Sequence, residues 1–151
     1  MLPLGGMKIS EIMTANPEYC TPDDTIYEVA RLMAEHDFGI VPIVESLETR
    51  RVIGCLTDRD IVVRVLAEGL DPGTLQSLRE IMTADLITCS ENDDVDDVRH
   101  LMEQRQVRRV LVTDENGSLV GVVATADLAA AVDKAKMGAT LEEISEPNVH
   151  D

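Results

Sequence analysis

Aromatic side chains are nearly missing from this 151-residue chain, which has one phenylalanine, two tyrosines and no tryptophan. Single-stranded nucleic acid is held by stacking bases on several rings, and too few are present for that. Basic charge is also scarce. Against 29 Asp and Glu stand 13 Lys and Arg, a formal net charge of −16. Phosphate backbones and anionic membrane surfaces are repelled overall, so no nucleic acid and no membrane are expected as partners. No apolar run approaches the ~20 residues that cross a bilayer. The opening residues, Met1 to Gly6, lack a basic region followed by an apolar stretch, so no secretory leader is read there and Met7 is the expected natural start. The cysteines are Cys20, Cys55 and Cys89, an odd number without a pairing pattern, which implies a reducing, cytoplasmic setting. They and the scattered His36, His100 and His150 have no metal-ligand spacing, and no metal is expected. A Walker loop, a Ser-His-Asp set and a Cys-His pair are all lacking, so the expectation is that the chain is not an enzyme.

What is present is a duplication. Glu11-Ile-Met-Thr-Ala15 returns unchanged as Glu80-Ile-Met-Thr-Ala84. At the same offset Cys20 meets Cys89, Asp24 meets Asp93, Leu32-Met33 meets Leu101-Met102 and Val41 meets Val110. Gly54, Thr57 and Asp60 then align with Gly121, Ala124 and Asp127, the first copy having a longer middle loop around Ser46 to Arg50. An internal repeat determines architecture before any local feature does.

Each copy reads as β-α-β-β-α. In the first, Ser10 is expected to cap a helical turn that Asn16-Pro17 stops. An extended piece spans Tyr19 to Thr21. Thr25-x-x-Glu28 is a capping box ahead of a helix to about His36. Phe38-Gly39 turns the chain into a hairpin, Ile40 to Glu45 with Arg51 to Thr57, and a helix runs from Asp58 to about Ala67. In the second copy a helix is expected over Leu75 to Met82, then an extended piece over Leu86 to Cys89. A helix capped by Asp93 or Asp94 follows. Strands Val110 to Thr113 and Leu119 to Ala124 flank the turn Glu115-Asn-Gly117, and the last helix reaches about Lys136. The domains are therefore 1–7, an extension; 8–68, the first repeat; 69–76, a linker; 77–136, the second repeat; and 137–151, an acidic tail expected to fray around Pro147. One copy has a marginal core, so the two are expected to pack together.

This order, with the Ile-Met-Thr lead-in, Gly39-Ile-Val-Pro-Ile-Val44 and the Gly-x-x-Thr-x-x-Asp segment at Gly54, Thr57 and Asp60, resembles the cystathionine-β-synthase (CBS) domain family over about residues 8 to 134. It looks most like small stand-alone bacterial CBS-pair proteins. The resemblance implies an α/β (α+β) fold in which two repeats pack with pseudo-twofold symmetry into one Bateman module. It also implies a regulatory ligand, an adenine nucleotide or adenosyl compound (AMP, ADP, ATP, NAD or S-adenosylmethionine), with no catalytic cofactor.

Physically, Thr57 to Asp60 is a strand-to-helix corner. Helix-start N–H groups suit phosphate, Thr57 has a hydroxyl to donate, Arg59 adds charge, and Asp60 is able to accept both hydroxyls of a ribose. Thr57 with Asp60 is equally the spacing of a plain capping box. The resemblance implies crossed clefts. The first would use Thr57, Asp58, Arg59 and Asp60, completed by Thr83, Val107 and Arg108. The second would use Asp127, Thr125 and Arg109, completed by Thr14, Asn16, Phe38 and Gly39. The second departs from the pattern: Ala124 replaces the threonine and Ala126 the arginine, so the Asp60 corner is expected to bind phosphorylated ligand more tightly.

Plainer readings stand beside these. Arg105, Arg108 and Arg109 are also placed to balance Asp93, Asp94, Asp96 and Asp97 on a wet surface. Cys20 and Cys89 read as two small half-buried thiols, and the methionines as core filling. The helix faces around Ile61, Val62, Val65 and Leu66, and from Leu128 to Val132, are apolar enough for a homodimer, as the resemblance implies. The output would act on an unidentified protein partner. The alternative is a non-catalytic dimerisation or interaction module with vestigial clefts.

Overall fold

The computed structural model describes residues 6–36 and 39–145, with side chains as far as residue 137. Phe38, the first five residues and Pro147 lie outside the described residues. The first copy runs through a 3-10 turn Ile9–Glu11, β1 (Thr14–Ala15), α1 (Ile26–His36), β2 (Ile40–Val44), β3 (Val52–Thr57) and α2 (Asp58–Asp60), which continues into a π-wound stretch Ile61–Leu66. After 3-10 turns at Pro72–Thr74 and Leu78–Glu80 come β4 (Thr88–Ser90), α3 (Val95–Arg105), β5 (Arg109–Thr113), β6 (Leu119–Ala124) and α4 (Thr125–Ser145). The fold is the mixed α/β one that the β-α-β-β-α reading implies.

Local chemistry sets these boundaries. The Thr25 hydroxyl accepts the Glu28 N–H at 3.2 Å and starts α1. Asp94, not Asp93, caps α3, taking the Asp96 N–H at 2.9 Å. Asp93 instead accepts the Ser90 N–H. β2 and β3 pair antiparallel from Ile40↔Thr57 to Val44↔Val52. The tip between β5 and β6 closes on Asp114, whose carbonyl accepts the Gly117 N–H at 3.1 Å while Gly117 takes φ +80°.

Four expectations need correction. Leu75 to Met82 is not a helix; only Leu78–Glu80 winds, as a 3-10 turn. The Glu80 carboxylate takes the N–H groups of Gln76 and Ser77, which holds the preceding backbone out of a helix. Ser10 is not a cap. Lys8 stands at that position, and Glu11 accepts its N–H at 2.6 Å, as Glu80 does in the other copy. The helix after Asp60 widens, with Ala67 N–H reaching Val62 O and Leu70 N–H reaching Val65 O, each five residues back. Val65 on this stretch is fully buried. α4 runs to Ser145 and past Lys136, because Met137, Ala139, Leu141 and two glutamates are good helix formers that outweigh one glycine.

The chain forms two compact units, and neither is a single repeat. One unit holds the described residues up to Ala15 with Cys89–Val112 and Gly121 onward; the other holds Asn16–Thr88 with Thr113–Val120. Each thus joins the body of one repeat to the lead-in of the other. In the unit built on the first repeat, Thr83 exchanges both backbone hydrogen bonds with Cys55 at 2.9 Å, adding a rung beside β3. Cys20 pairs parallel with Ile43 on the other side. Leu78 and Ile81 enter a core of Ile26, Val29, Val41, Ile43, Leu56 and Val65. The β5–β6 tip joins the same unit, where Ser118 Oγ donates to Thr49 O at 2.6 Å. In the unit built on the second repeat, the sheet order is β1-β6-β5-β4, with Thr14 opposite Val122 and Ala15 opposite Gly121. Ile9 is fully buried there, in a unit whose other buried residues include Val95, Val98, Met102, Val110 and Val123.

Both exchanges turn on a glycine. A Cβ on Gly54 would lie 2.5 Å from Met82 Sδ and 3.0 Å from the Thr83 carbonyl oxygen. A Cβ on Gly121 would collide with Met13 Sδ and lie 3.0 Å from Thr14 O. Gly54→Ala and Gly121→Ala are each expected to lower stability by about 1–3 kcal/mol. Gly73→Ala, which meets only Asp71 Oδ1 at 3.5 Å, should stay within ~0.5 kcal/mol of wild type. Urea unfolding at unchanged m-value measures all three; equal stability of the three variants would contradict the contact.

Candidate functional site

At the first corner β3 ends at Thr57 in extended conformation and α2 begins at Asp58. The capping box is fully formed. Asp60 N–H donates to Thr57 Oγ1 and Thr57 N–H to Asp60 Oδ2, both at 3.0 Å. The same Oδ2 accepts the Thr83 hydroxyl at 3.4 Å. Arg64 Nε stands 3.7 Å from Oδ1, and the Asp60 side chain is only 13% exposed. Asp60 therefore caps its helix and receives hydroxyl and guanidinium groups at once. The cap does not exhaust this carboxylate, which has about four lone-pair positions. Asp58 folds back to accept the Arg59 N–H at 2.8 Å, leaving the Arg59 side chain exposed. Gly39 lies against that carboxylate, where a Cβ would come within 3.1 Å of Asp58 Oδ2, and its carbonyl accepts the Asp58 N–H at 3.0 Å.

At the second corner Asp127 Oδ2 accepts the Ala124 N–H at 2.7 Å, the counterpart of the Asp60–Thr57 bond. The return bond is missing because Ala124 has no hydroxyl. Thr125 N–H donates to Arg108 O at 2.9 Å, as Asp58 does to Gly39. Thr125 and Val107 line one hollow of about 270 Å³ together with Arg99, Met102, Glu103 and Leu128. The structure thus gathers Thr57, Asp58, Arg59, Asp60, Thr83 and Gly39 in one unit, with Asn16, which takes a left-handed φ of 52° and bonds to Val120 O. It gathers Thr14, Val107, Arg108, Arg109, Thr125 and Asp127 in the other. Arg64, read from the sequence only as part of a basic cluster with Arg59, stands beside Asp60 although it was not assigned to the cleft. Its signal was the spacing of one helical turn from Asp60.

The arginines do not balance the acidic stretch as a wet-surface reading expects. Asp96 pairs with Arg99 at 3.5 Å, and Asp93 and Asp94 serve the backbone. Backbone N–H groups of Gly6 and Asp96 hold the Asp94 carboxyl below its ordinary pKa. Among the described residues, Arg105, Arg108 and Arg109 are exposed and form no ion pair with a carboxylate.

A family model described as CBS domain matches residues 9–67 and again residues 78–134. The CBS domain-containing protein YhcV of Bacillus subtilis is 38% identical over 143 residues, 94% of this chain and 98% of that protein. Hypoxic response protein 1 of Mycobacterium tuberculosis is 39% identical over 119 residues, covering 79% of this chain and 80% of that one. The crystal structure of Hypoxic Response Protein I with two coordinated zinc ions has a TM-score of 0.72 at 37% identity, covering 82% of this chain and 98% of that one. The crystal structure of the CBS domain pair of protein MJ0100, in complex with 5-methylthioadenosine and S-adenosyl-L-methionine, also scores 0.72, at 26% identity, over 85% of this chain and 97% of that one. In this chain no group of three or more His, Cys, Asp or Glu among the described residues is placed to hold a metal ion.

The cysteines are packing groups. All three are buried and none is in a disulfide, so the half-buried expectation for Cys20 and Cys89 is exceeded. Burial, with Asp24 next, pushes the Cys20 thiol up to about 12. Burial and the Asp60 charge push Cys55 up to about 11, Arg64 opposing. Burial and Asp93 push Cys89 up to about 12. The folded chain therefore keeps protons that the unfolded chain loses above about 9. The thiol contribution to stability is fully present below pH 9 and declines as pH rises toward 11–12. Thiol titration with a disulfide reagent at pH 8 should be slow in the folded protein and complete within seconds in urea. Fast reaction of the folded protein would contradict the burial.

Proposed function

This chain belongs to the CBS domain family, in two tandem copies, and on that premise we propose that it is a regulatory sensor for an adenine nucleotide or adenosyl ligand (AMP, ADP, ATP, NAD or S-adenosylmethionine), acting on a partner protein through a change of conformation. The observation that carries the reading is the Asp60 carboxylate, mostly buried, with the hydroxyls of Thr57 and Thr83 beside it. The adenosyl ligands in the MJ0100 structure support the ligand class. The site residues proposed are those assigned from the sequence, led by Thr57 and Asp60 at one corner and Asp127 at the other.

The geometry supports a route for the signal. Thr83 belongs to the lead-in of the second repeat and Asp60 to the body of the first. A ribose diol on Asp60 competes with the Thr83 hydroxyl, so ligand changes the hold on that lead-in. A ligand shifts conformation only through such differential contacts. The ready engagement of the carboxylates in caps favours a non-catalytic role. A cytoplasmic setting suits three buried thiols outside any disulfide.

A homodimer is proposed from one further observation. Val62, Val63 and Leu66 on the π-wound stretch are 55%, 45% and 59% exposed, an apolar surface on an otherwise strongly charged chain. The same surface favours the second reading, an interaction module that does not depend on ligand.

At 100 times its dissociation constant, the cognate nucleotide should stabilise the protein by about 2.7 kcal/mol, read as a thermal shift. Isothermal titration should show Asp60→Asn weakening binding about ten- to hundredfold, since a charged hydrogen bond contributes about 1.5–3 kcal/mol. Asp127→Asn should matter less for phosphorylated ligands. No thermal shift with any adenine compound would favour the interaction module, and equal losses in the two variants would refute the ranking. Leu66→Glu should convert the dimer to monomer in light scattering; an unchanged mass would rule out that surface as the dimer contact.

A further inference from the structure

The two corners diverge most sharply one turn beyond the capping aspartate. The first repeat has Arg64 there and the second has Ala131. Arg64 Nη1 donates to the carbonyls of Ile81 at 3.1 Å and Met82 at 3.3 Å, and its Nε faces Asp60 Oδ1 at 3.7 Å. A guanidinium is therefore held by two backbone carbonyls and a carboxylate. The second repeat has the corresponding residues in sequence, and of these Ile12 and Asp127 border a groove. Asp127 stands for Asp60, and Ile12 and Met13 for Ile81 and Met82. Glu11 and Glu80 also correspond, each taking a backbone N–H ahead of its turn. Ala131 has no donor to offer them. At that position lies a groove of about 450 Å³ bordered by Met7, Glu11, Ile12, Asp127, Ala131 and Lys134.

We propose that this groove binds a small organic cation, a guanidinium or primary ammonium carried on a short aliphatic stem. Three features converge on that chemistry. The Arg64 site is a built example, in the same chain, of a guanidinium held at the corresponding sequence positions. Asp127 spends one oxygen on the Ala124 N–H and keeps the other, so it has capacity for a donor. The walls from Met7, Ile12 and Ala131 are apolar and suit a methylene stem, while two carboxylates against one lysine leave the groove net negative. Lys134 forms no ion pair among the described residues, so its amine is a competitor for the same carboxylates. The groove shares Asp127 with the second nucleotide corner, so the probes contain no nucleoside and the two readings are tested separately.

The test is isothermal titration of the full chain with N-ethylguanidinium and butylammonium at constant ionic strength, with tetramethylammonium as a cation that donates no hydrogen bond. Saturable one-to-one binding of the donor cations is expected, at least tenfold tighter than tetramethylammonium. Asp127→Asn, which keeps an acceptor for the cap, should weaken it at least tenfold, and Lys134→Ala should tighten it. Ala131→Arg, which supplies the guanidinium from the chain itself, should abolish it, and Arg64→Ala should gain a second equivalent. Absence of saturable binding, equal binding of tetramethylammonium, or loss of binding in Lys134→Ala would overturn the proposal. Adenine nucleotides titrated in parallel keep the two readings apart: nucleotide binding without cation binding refutes only the groove, and the reverse refutes only the sensor.

Discussion

Everything in this molecule depends on a methionine lying flat on a glycine, twice. Met82 on Gly54 and Met13 on Gly121 bring a lead-in within backbone hydrogen-bonding range of a strand from the opposite repeat. Any side chain at either glycine would push that segment away, and with it Leu78 and Ile81, or Ile9, which fill the cores. A repeat of this size buries too little by itself, and the borrowed segment supplies the shortfall. The glycine that opens the Gly-x-x-Thr-x-x-Asp motif is thus a packing residue first. The motif's later residues inherit their positions from the rung it permits, since Thr83 reaches Asp60 only because its own backbone is paired with Cys55.

Much of this was legible in the chain, and the reasons are local. Thr25 with Glu28, Thr57 with Asp60 and the Asn-Gly tip encode their geometry within four residues, and all three form. The duplication itself foretold two related corners. What was not legible depends on partners distant in sequence. Leu75 to Met82 has helical spacing, yet Glu80 turns its carboxylate onto the two preceding N–H groups and breaks the helix. The π winding after Asp60, with bonds from Ala67 to Val62 and from Leu70 to Val65, is not revealed by any short window. The identical five-residue segments do not themselves say which body each one joins; the resemblance did, placing Thr83 with Asp60 and Thr14 with Asp127, as the two units have them.

Electrostatics divides the two corners more than their shared motif suggests. Seven acidic side chains are engaged with backbone N–H groups at helix and turn starts: Glu11, Asp24, Asp60, Glu80, Asp93, Asp94 and Asp127. Placing them there satisfies otherwise orphaned donors and complements the helix dipole. The arginines, by contrast, are used unevenly. Arg64 knits one corner to its lead-in, while Arg108 and Arg109 remain on the surface. Two halves that share a backbone plan have therefore acquired different chemistry at equivalent places.

The exchange of lead-ins has a bearing on ancestry. A single-copy forerunner could not have completed its own sheet with the segment that precedes it, and would have had to swap that segment with a second molecule. Fusion of two such genes would have turned an intermolecular trade into an intramolecular one, free of dilution. Once joined, the halves no longer had to be identical, and substitutions such as arginine in one and alanine in the other became open to separate selection.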